Sequence, residues 1–306
     1  MIHTVGEATK DFLVKARTNT KESTLSQYGS ICTRHILPYF QHMELTSINN
    51  EVINNFIKYK LKNGGLRGNA LSPKYTNDMV NLLMQIIKPY CNFDINFAKP
   101  SCTQEEISIF TEAEYNRLKS HVSIGTDNRK LGIIIAMLTG IRIGELCALK
   151  WENIDLEIKG TIFIDKTMQR IESTDDTEKA KTKIIIDTPK SPASIRKIPL
   201  QEVLLTKLKE FRSDDGSYVL TNTRKYIEPR TYQRQFKSYL QACNIPETNF
   251  HTLRHTFATR SIARKVDPKS LSISLGHTDV GFTMKRYVHP DIEYRRTQME
   301  KVATGF

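Results

Sequence analysis

Apolar residues recur at helical spacing through the first hundred positions of the chain. The pattern predicts a helix over 4–17 and a second that opens near Ser23, with Leu25, Tyr28, Ile31 and Cys32 on one face. That second helix is expected to end before Pro38, whose nitrogen has no hydrogen to donate. A third helix is expected over 49–62, stopped by Asn63-Gly64-Gly65. A fourth opens with Ser72 as N-cap and Pro73 in the first turn, and carries Met79, Leu82, Leu83, Ile86 and Ile87. No strand-like alternation interrupts these four.

Periodicity fades over 92–108, which holds Pro100 and a polar run at 101–106. We place a helical domain at 1–98, a linker at 99–108 and a second domain at 109–306. Thr111 and Glu114 have the spacing of a capping box, so the second domain opens on a helix. Helices are predicted over 111–122 and 128–139, followed by the segment 140–150. Short β-branched runs at 161–165, 183–187 and 195–200 predict strands of one sheet, with polar 173–181 as an exposed hairpin extension. Helices return over 201–212, 230–243, 251–265, 268–275 and 280–287. The fold class is therefore mainly α with a small antiparallel β-sheet (α+β), behind a helical first domain.

Composition sharpens this picture through charge. Lys+Arg 45 against Asp+Glu 33 leaves +12, and the excess is spread over both predicted domains. Such a balance favours a polyanionic partner, because neutralising phosphates releases condensed counterions. No apolar run approaches the ~20 residues of a membrane span, and the N-terminus lacks the pattern of a signal peptide. The five cysteines are scattered, with no C-x-x-C pair. They read as reduced thiols of a cytoplasmic protein, with no disulfide framework, metal site or cofactor implied.

The chemistry is concentrated between 139 and 287. Cutting a phosphodiester needs fixed cations on its non-bridging oxygens, a nucleophile, a proton acceptor and a proton donor to the leaving oxygen. Arginine suits the first task, since its planar fork binds two oxygens and keeps its charge. In Thr139-Gly-Ile-Arg142-Ile-Gly-Glu145 an arginine follows a glycine break at the end of an apolar helix. Lys190 stands in a turn between two strands. His251-Thr-Leu-Arg254-His puts a histidine and an arginine on one helix face. Leu275-Gly-His277 precedes Tyr287 by a short helical stretch.

These blocks, in this order, resemble the tyrosine recombinase family, and most closely the phage and conjugative-transposon integrases. The resemblance implies a core-binding, SAM-like DNA-binding domain over 1–98 and a catalytic domain after it. It implies that Arg142 and Arg254 hold the scissile phosphate, that Lys190 protonates the leaving 5′ oxygen and that His251 assists in accepting the tyrosine proton. His277 would hydrogen-bond the phosphate, Glu145 would brace Arg142, and Tyr287 would attack to give a 3′-phosphotyrosine. Lys181, Lys183 and Lys197 are neighbours that could stand in for Lys190, and Tyr232 and Tyr294 rival Tyr287. His255 and His289 read as structural supports, and Arg142 with Glu145 could form an ordinary surface pair.

The implied function is site-specific integration or excision of a mobile element. The alternatives are a Xer-like resolvase, a type IB topoisomerase-like enzyme, or a silent DNA-binding protein of the same fold. Implied partners are double-stranded DNA recombination sites, three further copies in a homotetramer that exchanges C-terminal tails, and an accessory excision factor or host DNA-bending protein. No membrane is implied. Lys58, Lys60, Lys62, Arg67 and Lys74 cluster around two helices as candidate phosphate contacts. Many mobile-element integrases carry a further N-terminal domain for arm sites, for which the sequence before the first helix leaves no room; the expectation is either a simpler recombinase acting only at core sites or a fragment of a longer protein.

Overall fold

The computed structural model describes residues 2–65, 68–91, 97–101, 107–157, 159–173, 180–287, 292, 295–296 and 299–300. The chain divides into two compact units, Met1–Glu105 with Ile171–Lys183, and Glu106–Arg170 with Ile184–Phe306. The division by sequence at 99–108 did not anticipate that 171–183 would group with the first unit. Of the expected linker, 102–106 lies outside the described residues.

In the first unit, α1 (Val5–Asn19) starts on a complete capping box between Thr4 and Glu7. Helix α2 (Glu22–Ile31) runs through a π turn, Cys32–Ile36, into α3 (Leu37–Phe40). The helical path thus continues past Pro38, against the sequence expectation. The Leu37 N–H reaches back five residues to the Cys32 carbonyl, and this widened turn gives the proline ring room it lacks in a regular helix. Helix α4 (Asn50–Asn63) is capped by Asn49, and α5 (Pro73–Ile87) by Ser72. Phe40 and Phe56, both fully buried, meet with ring centroids 4.9 Å apart at the centre of this unit's core. Burying side chains of this size contributes roughly 1.5–3 kcal/mol each.

The chain continues with α6 (Glu112–Val122), α7 (Asn128–Thr139) and α8 (Ile143–Ala148), then β1 (Ile154–Asp155), β2 (Thr161–Ile164), β3 (Thr167–Glu172), β4 (Thr182–Asp187) and β5 (Arg196–Pro199), all in the second unit except 171–172 of β3 and 182–183 of β4. The helices after these are α9 (Glu202–Phe211), α10 (Pro229–Ala242), α11 (His251–Ala263), α12 (Pro268–Leu275) and α13 (Val280–Tyr287). Strands β1, β2 and β5 form one antiparallel sheet with Ile162 opposite Ile198 and Ile164 opposite Arg196. Strand β4 does not join it; it pairs with β3 in a separate ribbon. Sequence reading missed β3 because its buried residues, Met168 and Ile171, stand three apart and break the two-residue period.

The far half of this ribbon is tied down within the first unit. Ser26 donates to the Glu172 carbonyl (3.0 Å), Arg34 pairs with the Glu172 carboxylate, and Lys183 pairs with Glu22 (2.8 Å). Residues 174–179 of the expected extension lie outside the described residues.

The second unit's core surrounds α7, which is apolar on most sides: Leu131, Ile133, Ile135 and Ala136 are all fully buried. Trp151, Tyr232, Phe236 and Phe250 fill the space around it. Among the described residues no helix is long and apolar enough to cross a membrane.

Candidate active site

Two glycine corners set the site. Helix α7 ends at Gly140 in the left-handed conformation (φ 65°), and α12 ends at Gly276 likewise (φ 67°). A side chain is strained in that region whatever the space, and at Gly140 a Cβ would also lie 2.6 Å from Phe257 and 2.8 Å from Leu275. The first corner turns the chain so that Arg142 stands at the N-terminus of α8. The second does the same for His277 ahead of α13.

Glu145 joins Arg142 to a second arginine. The Arg142 Nη1 donates to Glu145 Oε1 (2.7 Å) and its backbone N–H to Oε2 (3.1 Å). Arg196, on β5, donates to the same two oxygens at 3.1 and 2.9 Å. Glu145 is 3% exposed and Arg196 6%. Burial alone would raise the carboxyl pKa, but the hydrogen bonds and charge of Arg196, with the charge of Arg142, outweigh it and hold Glu145 below its ordinary value. Arg196 also donates to the carbonyls of Ser274 (2.7 Å) and Ser194 (2.9 Å), so it links α8, α12 and the turn that follows Lys190.

The Arg254 guanidinium lies under both corners. It donates to the carbonyls of Gly140 (2.9 Å) and Leu275 (2.6 Å), while Arg142 Nη2 donates to the Gly276 carbonyl (3.1 Å). The two cations thus converge on 275–277. Arg254 is 2% exposed and, among the described residues, makes no ion pair with a carboxylate. Burial, then the neighbouring charge of Arg142, pulls its pKa down to about 9, so it remains a cation at neutral pH. A buried cation held only by carbonyl dipoles leaves a deficit of negative charge.

The histidines divide their roles. His277 Nε2 lies 2.9 Å from Arg254 Nη2, and because arginine only donates, this nitrogen must accept. Its Nδ1 then carries the proton and donates to Thr283 Oγ1 (2.7 Å). Burial and the charges of Arg254, Arg142 and Arg196 push His277 down to about 3, so the ring is neutral. Both its nitrogens are engaged, and donation to a phosphate would require it to change partners. His251 opens α11 and packs edge-on against His255, with ring centroids 4.5 Å apart at 89°. His255 Nδ1 is 2.7 Å from the Tyr287 hydroxyl. Tyr287 is 6% exposed; burial raises its pKa, and the charges of Arg254, Arg286 and Arg142 act in the opposite direction.

The structure therefore brings Arg142, Glu145, Arg254 and His277 into one hydrogen-bonded network, with His251, His255 and Tyr287 beside it. Lys190 is exposed in the turn after β4, and among the described residues no hydrogen bond or ion pair joins it to the network. Sequence reasoning missed Arg196, Thr283 and the contact of His255 with Tyr287. His289, Tyr294 and most of the C-terminal tail lie outside the described residues, as does Arg67. Lys58, Lys62 and Lys74 are exposed, as phosphate contacts must be. Lys60 is not: it is 5% exposed, with its ammonium 5.3 Å from the Phe56 ring centroid and 5.2 Å from that of Tyr59. Helical spacing turns it inward, so it is withdrawn as a surface contact.

Residues 108–293 match the model of the phage integrase family, and 4–61 match that of the phage integrase N-terminal SAM-like domain. The chain is 27% identical over 290 residues to a XerC-like tyrosine recombinase of Caldanaerobacter subterraneus subsp. tengcongensis, covering 76% of this chain and 73% of that protein. It is 22% identical over 302 residues to the ICEBs1 integrase of Bacillus subtilis, covering 91% and 77%. Its fold is similar to that of the Tn1549 transposon integrase solved with transposon right end DNA (TM-score 0.76, 22% identity, 98% of this chain and 99% of the other).

Proposed function

The chain belongs to the phage integrase family, the tyrosine recombinases, and on that premise we propose that it integrates or excises a mobile DNA element through a phosphotyrosine bond formed by Tyr287. The observation that carries this reading is the buried guanidinium of Arg254, without a carboxylate partner among the described residues and converging with Arg142 on one corner next to a phenol. A DNA phosphate supplies the missing negative charge, and the charge that develops on its oxygens during attack is met by cations already fixed in place. Two-unit organisation fits the same reading, the first unit serving as the core-binding domain and the second as the catalytic one.

In the proposed reaction the Tyr287 oxygen bonds to phosphorus and the bond to the 5′ oxygen breaks. The phenolic proton passes to a histidine, and Lys190 gives a proton to the departing oxygen. A 5′ hydroxyl from a second duplex then attacks the phosphotyrosine, releases Tyr287 and restores a phosphodiester. Arg142 and Arg254 hold the phosphate; Glu145 orients Arg142, and His277 orients Arg254 in the arrangement described. One phosphodiester is exchanged for another, so the bond energy is retained. Exchange between two duplexes breaks four strands with one nucleophile per chain, which calls for a homotetramer on DNA. The ICEBs1 integrase among the relatives supports a mobile element as the substrate.

The test uses nicked suicide duplexes of random core sequence. Wild-type protein is expected to retain a subset as adducts that survive denaturing electrophoresis, and Tyr287→Phe to bind those duplexes without forming an adduct. An adduct persisting in Tyr287→Phe refutes the choice of nucleophile. Relaxation of supercoiled plasmid lacking a selected site would instead favour a topoisomerase.

A further inference from the structure

We infer that Thr283 is a positioning residue for His277, its buried hydroxyl letting the imidazole reverse from accepting a hydrogen bond from Arg254 to donating one to the scissile phosphate. The inference rests on the recombinase reading. His277 is fixed at its backbone, where its N–H donates to the Ser272 carbonyl (3.1 Å), and its ring stands edge-on to Phe282 with centroids 4.9 Å apart. The two ring nitrogens meet Arg254 Nη2 at 2.9 Å and Thr283 Oγ1 at 2.7 Å. Thr283 is fully buried, one helical turn before Tyr287 on α13. The helix that carries the nucleophile therefore also carries the group that decides where the His277 proton sits.

With the His277 ring neutral, one nitrogen carries a hydrogen and the other a lone pair. In the structure Nε2 accepts, Nδ1 donates, and the Thr283 hydroxyl takes the accepting part. The hydroxyl's own hydrogen then has no acceptor among the described residues, which is costly for a buried group. Arg254 Nη2 already gives one hydrogen to the Leu275 carbonyl (2.6 Å), so the hydrogen it gives His277 is the one a phosphate competes for. Once the phosphate takes it, Nε2 is released to donate to the same anion, and Nδ1 must accept. The hydroxyl meets that demand by rotating, and its hydrogen gains a partner. The exchange is proton-neutral: Nε2 takes a proton from water and Nδ1 returns one. A carboxylate or a carbonyl in this place would hold the hydrogen on Nδ1 and bar the neutral ring from donating through Nε2. A hydroxyl serves both directions.

Nitrogen NMR of the whole chain, labelled at its histidine rings, reads the tautomer directly. The His277 signals are identified by their loss in His277→Gln, and Tyr287→Phe keeps a duplex selected from the suicide library uncleaved. In the free chain the hydrogen is expected on Nδ1, and with the duplex bound on Nε2, the ring neutral in both. A hydrogen that stays on Nδ1, or a bound imidazolium with both nitrogens protonated, overturns the inference while leaving the recombinase reading intact. Single-turnover adduct formation then tests the hydroxyl. Thr283→Val, which keeps the shape, should cleave roughly 5–150-fold more slowly, the effect of leaving one buried nitrogen without its hydrogen bond. Thr283→Ser should recover most of the rate. In a His277→Gln background, whose amide donates with no tautomer to set, Thr283→Val should cost nothing further. A wild-type rate in Thr283→Val overturns the inference, as does an equal loss in the His277→Gln background, which marks packing. Should Thr283→Val misfold, the NMR comparison decides with Thr283 in place. Absence of any adduct with wild type overturns both the inference and the recombinase reading.

Discussion

Glu145 has the most to lose at the level of single residues, because two arginines depend on one buried carboxylate. Replacing it by glutamine leaves Arg196 buried with no anion, and breaking a buried pair in this way costs about 3–5 kcal/mol. Urea denaturation of Glu145→Gln should show a loss of that size, and adduct formation should fall because Arg142 is no longer braced. A variant as stable as wild type would mean the carboxylate is not the anchor its geometry suggests. The site histidines make a second claim. His255 and His277 have ordinary values of 6.5 when unfolded and about 4 and about 3 when folded, burial being the first cause in both. Above pH 6.5 neither state binds the proton and the histidines leave stability untouched. As pH falls from 6.5 toward 4, the unfolded chain takes up protons that the folded chain refuses, so stability drops. The urea midpoint is expected to be lower at pH 5 than at pH 7, and the double variant His255→Gln/His277→Gln to lose part of that dependence. An identical slope in the variant would show that both rings protonate freely in the folded chain.

The elements that present these residues are ordered by their ends. Gly140→Ala places a side chain at φ 65° and drives its Cβ to 2.6 Å from Phe257. Left-handed strain of about 1–2 kcal/mol and overpacking of about 1–3 kcal/mol act together. A loss of roughly 2–5 kcal/mol in urea denaturation is expected, with cleavage reduced because Arg142 is carried on that corner; a silent substitution would separate the corner from the site. Much of this was legible beforehand, because capping signals are local. Thr4 with Glu7, Ser72 with Pro73, Thr111 with Glu114, and the two glycines fix helix ends from residues a few positions apart. What was not legible depends on partners distant in the chain. Pro38 signals a stop unless the π turn ahead of it is known. Arg196, next to Lys197 in a short strand, reads as a surface charge until Glu145 is seen opposite it. His255 reads as a support until α13 returns Tyr287 to α11.

For the whole molecule the question is how a net charge of +12 is put to use. Part of it is consumed internally, as Arg196 and Lys60 demonstrate. Lys58, Lys62 and Lys74 in the first unit are exposed, and among the described residues none holds an ion pair, so their charge is available to a polyanion. Each phosphate neutralised adds about 0.9 to the slope of log affinity against log salt. Replacing these three by alanine is therefore expected to weaken binding to duplex DNA and lower that slope by up to about 2.7 between 50 and 200 mM salt. Lys60→Met is the internal control. It keeps the aliphatic stem in the core and removes an ammonium that faces the Phe56 and Tyr59 rings, so it should leave the slope as it was. Fluorescence anisotropy across a salt series measures both. If Lys60→Met lowers the slope as much as an exposed lysine does, the first unit must open on DNA to release that charge; if the triple variant leaves it unchanged, the backbone is gripped elsewhere.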